Sequence, residues 1–223
     1  AGVGKRTVKG KLEISGLADI YGANGRLESS ALAPLPGNDA ETDLVRMRSI
    51  TGTSVAGLLN VRPQPLFGMT PLLYLGDAVQ GNYLYKVVGN IFAEEHGNDL
   101  VAHPDGTVAV VATLYASKKK EKKTPVFIRL KALGVLDKRS EYKVAGNVDP
   151  TAITAAGTAA GTEYAIAGTV DAVDAAKKAY RRAWLGRVGK GNKLLWHRAV
   201  GPELETEVAA LQQVGAMTFA LGS

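Results

Sequence analysis

Thr107-Val108-Ala109-Val110-Val111-Ala112-Thr113-Leu114-Tyr115-Ala116, then Ser117-Lys118-Lys119-Lys120-Glu121-Lys122-Lys123-Thr124, then the run from Val126 to Leu133: this stretch decides the fold class. Side chains alternate between the two faces of a strand, so every second residue shares a side. Val108, Val110 and Leu114 fall on one face of the first run, and Val111 and Tyr115 on the other. In the second run Val126, Ile128 and Leu130 lie on one side, opposite Arg129 and Lys131. Two β-rich runs joined by a short charged loop predict a hairpin. A strand apolar on both faces must be covered on both, by a second sheet, a helix or a neighbouring subunit.

Working outward, Thr7 to Ile14 alternates after Val8 and reads as a half-buried strand, despite the interior Gly10. Asn24-Gly25 and Pro34-Leu35-Pro36-Gly37-Asn38-Asp39 mark residues 22–40 as a surface excursion, because proline fixes φ and glycine permits positive φ. Arg62-Pro63-Gln64-Pro65 and Met69-Thr70-Pro71 signal a second loop. The apolar residues between Asp43 and Val61 fit neither the helical nor the strand period, and the element type there stays open. Tyr83 to Phe92 is aromatic and β-branched and reads as a strand.

Further on, Ala-Ala-Gly-Thr occurs twice in a tract of small residues, and residues 150–169 read as an arm or linker. The alternative is a close-packed contact, because small side chains let backbones approach. Thr169 can cap a helix beginning near Val170, with Asp171 and Asp174 in its first turn. Val173, Ala176, Tyr180 and Trp184 make its apolar stripe, and Gly186 and Gly189 its stop. Pro202, Leu204, Val208 and Leu211 signal a second helix ending near Gly215, and Leu194-Leu195-Trp196 a short buried strand between the two. The expected fold is mainly β (α+β), an antiparallel sandwich- or barrel-like sheet with one or two C-terminal helices. Its expected divisions are a β core over 1–149, the tract over 150–169, and a helical segment over 170–223 packing on the core.

Composition bounds the function. With 223 residues, 46% hydrophobic and 22% charged, the chain has an ordinary globular balance and enough length for a large core. It has no cysteine, which excludes disulfides and thiolate metal sites. No run of 18 apolar residues suggests a membrane span, and Ala1 to Arg6 lacks the apolar core of a signal peptide. Charge is uneven: residues 1–110 carry 9 Lys+Arg against 11 Asp+Glu, and residues 111–223 carry 18 against 10, giving net charges of −2 and +8. Such asymmetry suggests one face that meets an anionic partner.

No catalytic, cofactor or metal signature is complete. Gly2-Val3-Gly4-Lys5 lacks the upstream glycine and the following Ser or Thr of a phosphate-binding loop. His96 and His103, with Glu94, Glu95, Asp99 and Asp105, could hold a divalent cation on a loop, but a solvated polar loop explains them better and no metal site is expected. No Gly-x-Ser-x-Gly elbow is present, so the chain is not expected to be an enzyme.

The basic residues carry the functional reading. On the expected helix Lys177 and Arg181 lie four apart, as do Lys178 and Arg182, and Arg187, Lys190, Lys193 and Arg198 continue downstream. Lys118, Lys119, Lys120, Lys122 and Lys123 crowd a hairpin tip, where they stay in water, discourage edge pairing or meet a polyanion. The expectation is a homo-oligomeric structural protein, a coat, tube or decoration subunit located in the virion, with a basic surface toward nucleic acid. Alternatives are a nucleic-acid-binding or ribonucleoprotein component in the cytoplasm, and an enzyme or ligand-binding β domain whose site forms only in three dimensions.

Overall fold

A computed structural model of the protein describes residues 2–8, 11–21, 27–34, 41–62, 68–77, 82–116, 122–156, 163–173, 176–201, 206, 208–214 and 217–222. For residues 2–42 the description covers strand pairing alone. β1 (Gly2–Val8), β2 (Lys11–Tyr21) and β3 (Leu27–Pro34) form one sheet. β4 (Glu41–Thr51), β5 (Ser54–Arg62), β6 (Thr70–Asp77) and β7 (Tyr83–Val87) form the second. β8 (Glu94–Ala102), β9 (Val108–Tyr115), β10 (Lys123–Leu130) and β11 (Leu136–Glu141) form the third. β12 (Val148–Ala155), β13 (Tyr164–Val173), β14 (Ala179–Gly189) and β15 (Lys193–Val200) form the fourth. β16 (Val208–Val214) and β17 (Met217–Gly222) make a separate hairpin. Within each sheet the strands pair antiparallel in sequence order, the arrangement that short connections permit. The protein is a mainly β, antiparallel, sandwich-like fold.

The expected hairpin is β9–β10, in register Val111 to Phe127 and Val110 to Ile128. Its two apolar faces are both covered from within the chain. Val108, Val110, Ala112, Val126, Ile128 and Leu130 pack against Ala56 and Leu58 of β5 and Leu73 and Leu75 of β6. Ala109, Val111, Phe127 and Tyr142 pack on the other side against Val148, Ile153, Tyr164, Ile166, Val170, Trp184 and Val188. Sheet β8–β11 is therefore the middle of three layers. The neighbouring subunit that the sequence allowed as cover is not needed there.

Several expectations are corrected. The described residues of 170–189 are not helical: the chain forms β13 and β14 there, paired Val170 to Arg182 and Ala167 to Leu185, and residues 174 and 175 lie outside the described residues. A spacing of four fits one face of a helix, but it is also twice the strand period, so Tyr180, Trp184 and Val188 share a strand face equally well. Tertiary burial between sheets then overrides the alanine-rich helical propensity. Where the second helix was expected, residues 208–214 are strand β16; residues 202–205, 207 and 215 lie outside the described residues. The excursion at 22–40 contains strand β3, the loop at Met69-Thr70-Pro71 opens β6, and the strand from Tyr83 ends at Val87.

In the described part of the small-residue tract, the arm is two strands, β12 and β13, of one sheet. The close approach that small residues allow is real at Gly168: an added Cβ would lie 2.0 Å from the Asp149 carbonyl oxygen, at the β12 bulge between Pro150 and Ala152. Among the described residues no helix is long and apolar enough to cross a membrane.

Candidate functional site

The outer face of sheet β12–β15, with hairpin β16–β17 packed on it, brings an exposed tryptophan and several basic residues together. Paired residues of antiparallel strands share a face, so the register puts Ala167, Leu185 and Arg198 on one side, with Ala165, Arg187 and Trp196 beside them. Ala167 and Ala183 pack here against Val208 of β16, with Leu185, Val200 and Leu211 alongside. Trp184, one residue out of phase, points the other way into the core.

The residues expected to bind nucleic acid do not form one stripe, because the strand period separates what the helical period would align. Lys177 and Lys178 precede β14, both exposed, Lys177 in the left-handed region at φ 61°. Arg181 is exposed on β14, whereas Arg182 faces the opposite side and donates from Nη2 to the Gly201 carbonyl oxygen at 2.8 Å. Arg187 is held by Glu163, its Nη2 2.6 Å and its Nε 3.1 Å from Oε2. Lys190 and Lys193 are exposed at the β14–β15 turn. Lys118, Lys119 and Lys120 lie outside the described residues, and Lys122 is exposed. Lys123 does not sit at a free tip: its Nζ lies 2.7 Å from Asp149 Oδ2, and Asp149 Oδ1 also accepts from Thr113 Oγ1 at 2.5 Å. That cluster ties the middle sheet to β12.

The strand at Leu194-Leu195-Trp196 is present but not buried, with Leu195 50% and Trp196 47% exposed at the sheet's free edge. The Arg198 guanidinium carbon stands 5.7 Å from the Trp196 ring centroid, within cation–π range. These two residues make the face distinctive, and sequence reasoning did not select them as a pair. The alternation of Trp196 and Arg198 two apart is the signal that a strand reading would have used.

Of the acidic residues expected on a solvated loop, Glu94, Glu95 and Asp99 belong instead to strand β8, each with its own partner, whereas Asp105 stays on the exposed turn that follows it. Glu94 Oε1 lies 2.7 Å from His96 Nε2. Asp99 is buried, accepts from Arg46 Nε at 2.9 Å and takes the Ile153 amide on its second oxygen at 3.0 Å. Glu95 is buried, with Oε2 3.1 Å from Arg139 Nη2 and 2.9 Å from the Asn90 amide. Among the described residues no group of three or more His, Asp or Glu is arranged to hold a metal ion. Asp99 ties the middle sheet to β4 on one side and β12 on the other, whereas Glu94–His96 and Glu95–Arg139 are pairs within the middle sheet.

His103 is buried where β8 leaves the middle sheet, its Nε2 3.1 Å from the Tyr164 hydroxyl. Burial pushes the imidazole below the ordinary histidine range, against the smaller opposing pull of Asp105, and pushes the Tyr164 phenol up to about 12. The folded state thus favours neutral His103. Its contribution is present above the unfolded pKa, about 6.5, and is lost as pH falls below that value toward the depressed folded one. The melting temperature of the parent should therefore drop more between pH 7.5 and pH 5 than that of His103→Gln. Equal drops would remove His103 from the acid response.

No protein-family model matches the chain, and no curated protein matches it in sequence.

Proposed function

We propose that the chain is a self-assembling structural subunit of the kind that builds a virion, as a coat, tube or decoration protein. The observation that carries this reading is hairpin β16–β17. From Val208 to Gly222 it contains no charged residue. One side reaches the fourth sheet through Val208 and Leu211. The other presents Val214, Met217, Phe219 and Leu221 to solvent, with Met217 62%, Phe219 52% and Leu221 71% exposed.

A two-stranded hairpin is marginally stable alone, and monomeric proteins blunt exposed strands with lysine, proline or bulges. Exposed contiguous apolar surface of this kind marks an interaction site. A second copy supplies an uncharged apolar strand of matching character, and closed symmetric or extended assemblies both follow from such self-association. The basic surface of the C-terminal half is the side that would meet packaged nucleic acid.

Size-exclusion chromatography with light scattering on the full chain tests the reading. A discrete assembly larger than the 23.4 kDa protomer is expected. Replacing Phe219 and Leu221 together by Ser should shift it to monomer, or by at least tenfold in association constant, while circular dichroism stays unchanged. A parent that runs as a monomer at tens of micromolar would remove the proposal.

A further inference from the structure

Between the inward side of hairpin β16–β17 and the outer face of β13–β15 runs a groove of about 280 Å³, lined by Leu185, Arg187, Trp196, Arg198, Leu211 and Thr218 among others. Its chemistry is unusual for an apolar seam. One wall is a half-exposed indole with a guanidinium over it, and the second arginine is fixed by two hydrogen bonds to Glu163. Lys190 and Lys193 stand exposed at the turn that closes this end of the sheet. Among the described residues neither lysine nor Arg198 meets a carboxylate, so positive charge at this end exceeds negative.

From this geometry we infer that the groove binds single-stranded nucleic acid, a base stacking on Trp196 while Arg198, Arg187, Lys190 and Lys193 meet the flanking phosphates. An indole face accepts any base, and the surrounding cations follow a backbone. Two alternatives fit worse. A second copy docking face to face would bring the same cations against each other. A duplex keeps its bases stacked inside and offers no free π-face, and the hairpin leaves a groove with room for a single base and its sugar. The site differs from the stripe expected from sequence: Lys177, Lys178 and Arg181 lie toward the opposite end of β14, and Trp196 joins the downstream basic residues in their place. The inference rests on the structural-subunit reading for its polyanionic partner, and its test separates the two.

The probe is a fluorescein-labelled 15-nucleotide oligouridine, titrated with the full chain by fluorescence anisotropy between 50 and 300 mM salt. The oligomeric state of each sample is recorded by light scattering. Trp196→Ala should weaken binding roughly ten- to hundredfold and leave the salt slope unchanged, because no charge is lost. Trp196→Phe should restore most of the affinity. Arg198→Ala should weaken binding and lower the slope by about one phosphate contact. Emission from the buried Trp184 reports that each variant is folded.

Three results would overturn the inference: Trp196→Ala binding as tightly as the parent, a blunt duplex of the same length binding as tightly as the single strand, or heparin competing as well as unlabelled oligouridine. Loss of binding with assembly intact counts against this inference alone. Loss of assembly with binding intact counts against the structural-subunit reading alone.

Discussion

Phe127→Ala is expected to cost about 3–5 kcal/mol of folding stability. Phe127 lies on β10, an interior strand of the middle layer, with no solvent exposure. Its ring centroid is 5.1 Å from that of Tyr164 and, with Val111, it fills the interface toward sheet β12–β15. The penalty is at the high end because the site cannot collapse. The opposite face of β10 is pinned by Val126, Ile128 and Leu130 against β5 and β6, so the strand cannot move toward the void without opening the other core. Urea unfolding gives the total. Hydrogen exchange gives the location: amides of β12 to β14 should lose protection before those of β5 and β6. A loss below about 1 kcal/mol, or uniform loss of protection, would mean that the layers are not mechanically separate.

Arg139→Ala should cost a similar amount, about 3–5 kcal/mol, for an electrostatic reason. Glu95 has no exposure, and its only ion-pair partner among the described residues is Arg139, which also bonds Glu141. Truncating the arginine strands a carboxylate away from water. The cost belongs to the orphaned charge and not to the attraction, so replacing both partners by leucine should recover most of the loss. A double-mutant cycle in urea measures this directly. If the double variant is as unstable as Arg139→Ala, the pair is held for packing and the charge argument fails.

The layered β architecture was legible because its decisive strand is apolar at both parities. Val108, Val110 and Val111 cannot be satisfied by one partner, and the structure supplies two sheets. The C-terminal third was misread at a specific point. Tyr180 and Trp184, the end of the expected stripe from Val173 and Ala176, lie four apart, a spacing that both periods satisfy, and the Thr169 and Asp171 cap signals favour a helix. The following residues held the contrary signal. Trp184 and Val188 enter the core with the buried Gly186 between them, and Trp196 and Arg198 alternate likewise on β15. The pairings Asp99–Arg46, Asp149–Lys123 and Glu95–Arg139 were invisible, because they join residues far apart in the chain that only strand register brings together.

The order of the three layers along the chain has a consequence for synthesis. Residues 54 to 130 complete the first core, between the β4–β7 sheet and the middle layer, before β13 and β14 exist. At roughly 5–20 residues per second, the ribosome needs several seconds more to make the chain from Glu141 to Val188. For that interval Ala109, Val111 and Phe127 form the bare surface of an otherwise closed two-layer body, open to holdase chaperones and to neighbouring nascent chains on the same message. Slower translation over β12 to β14 would lengthen the exposure of that surface.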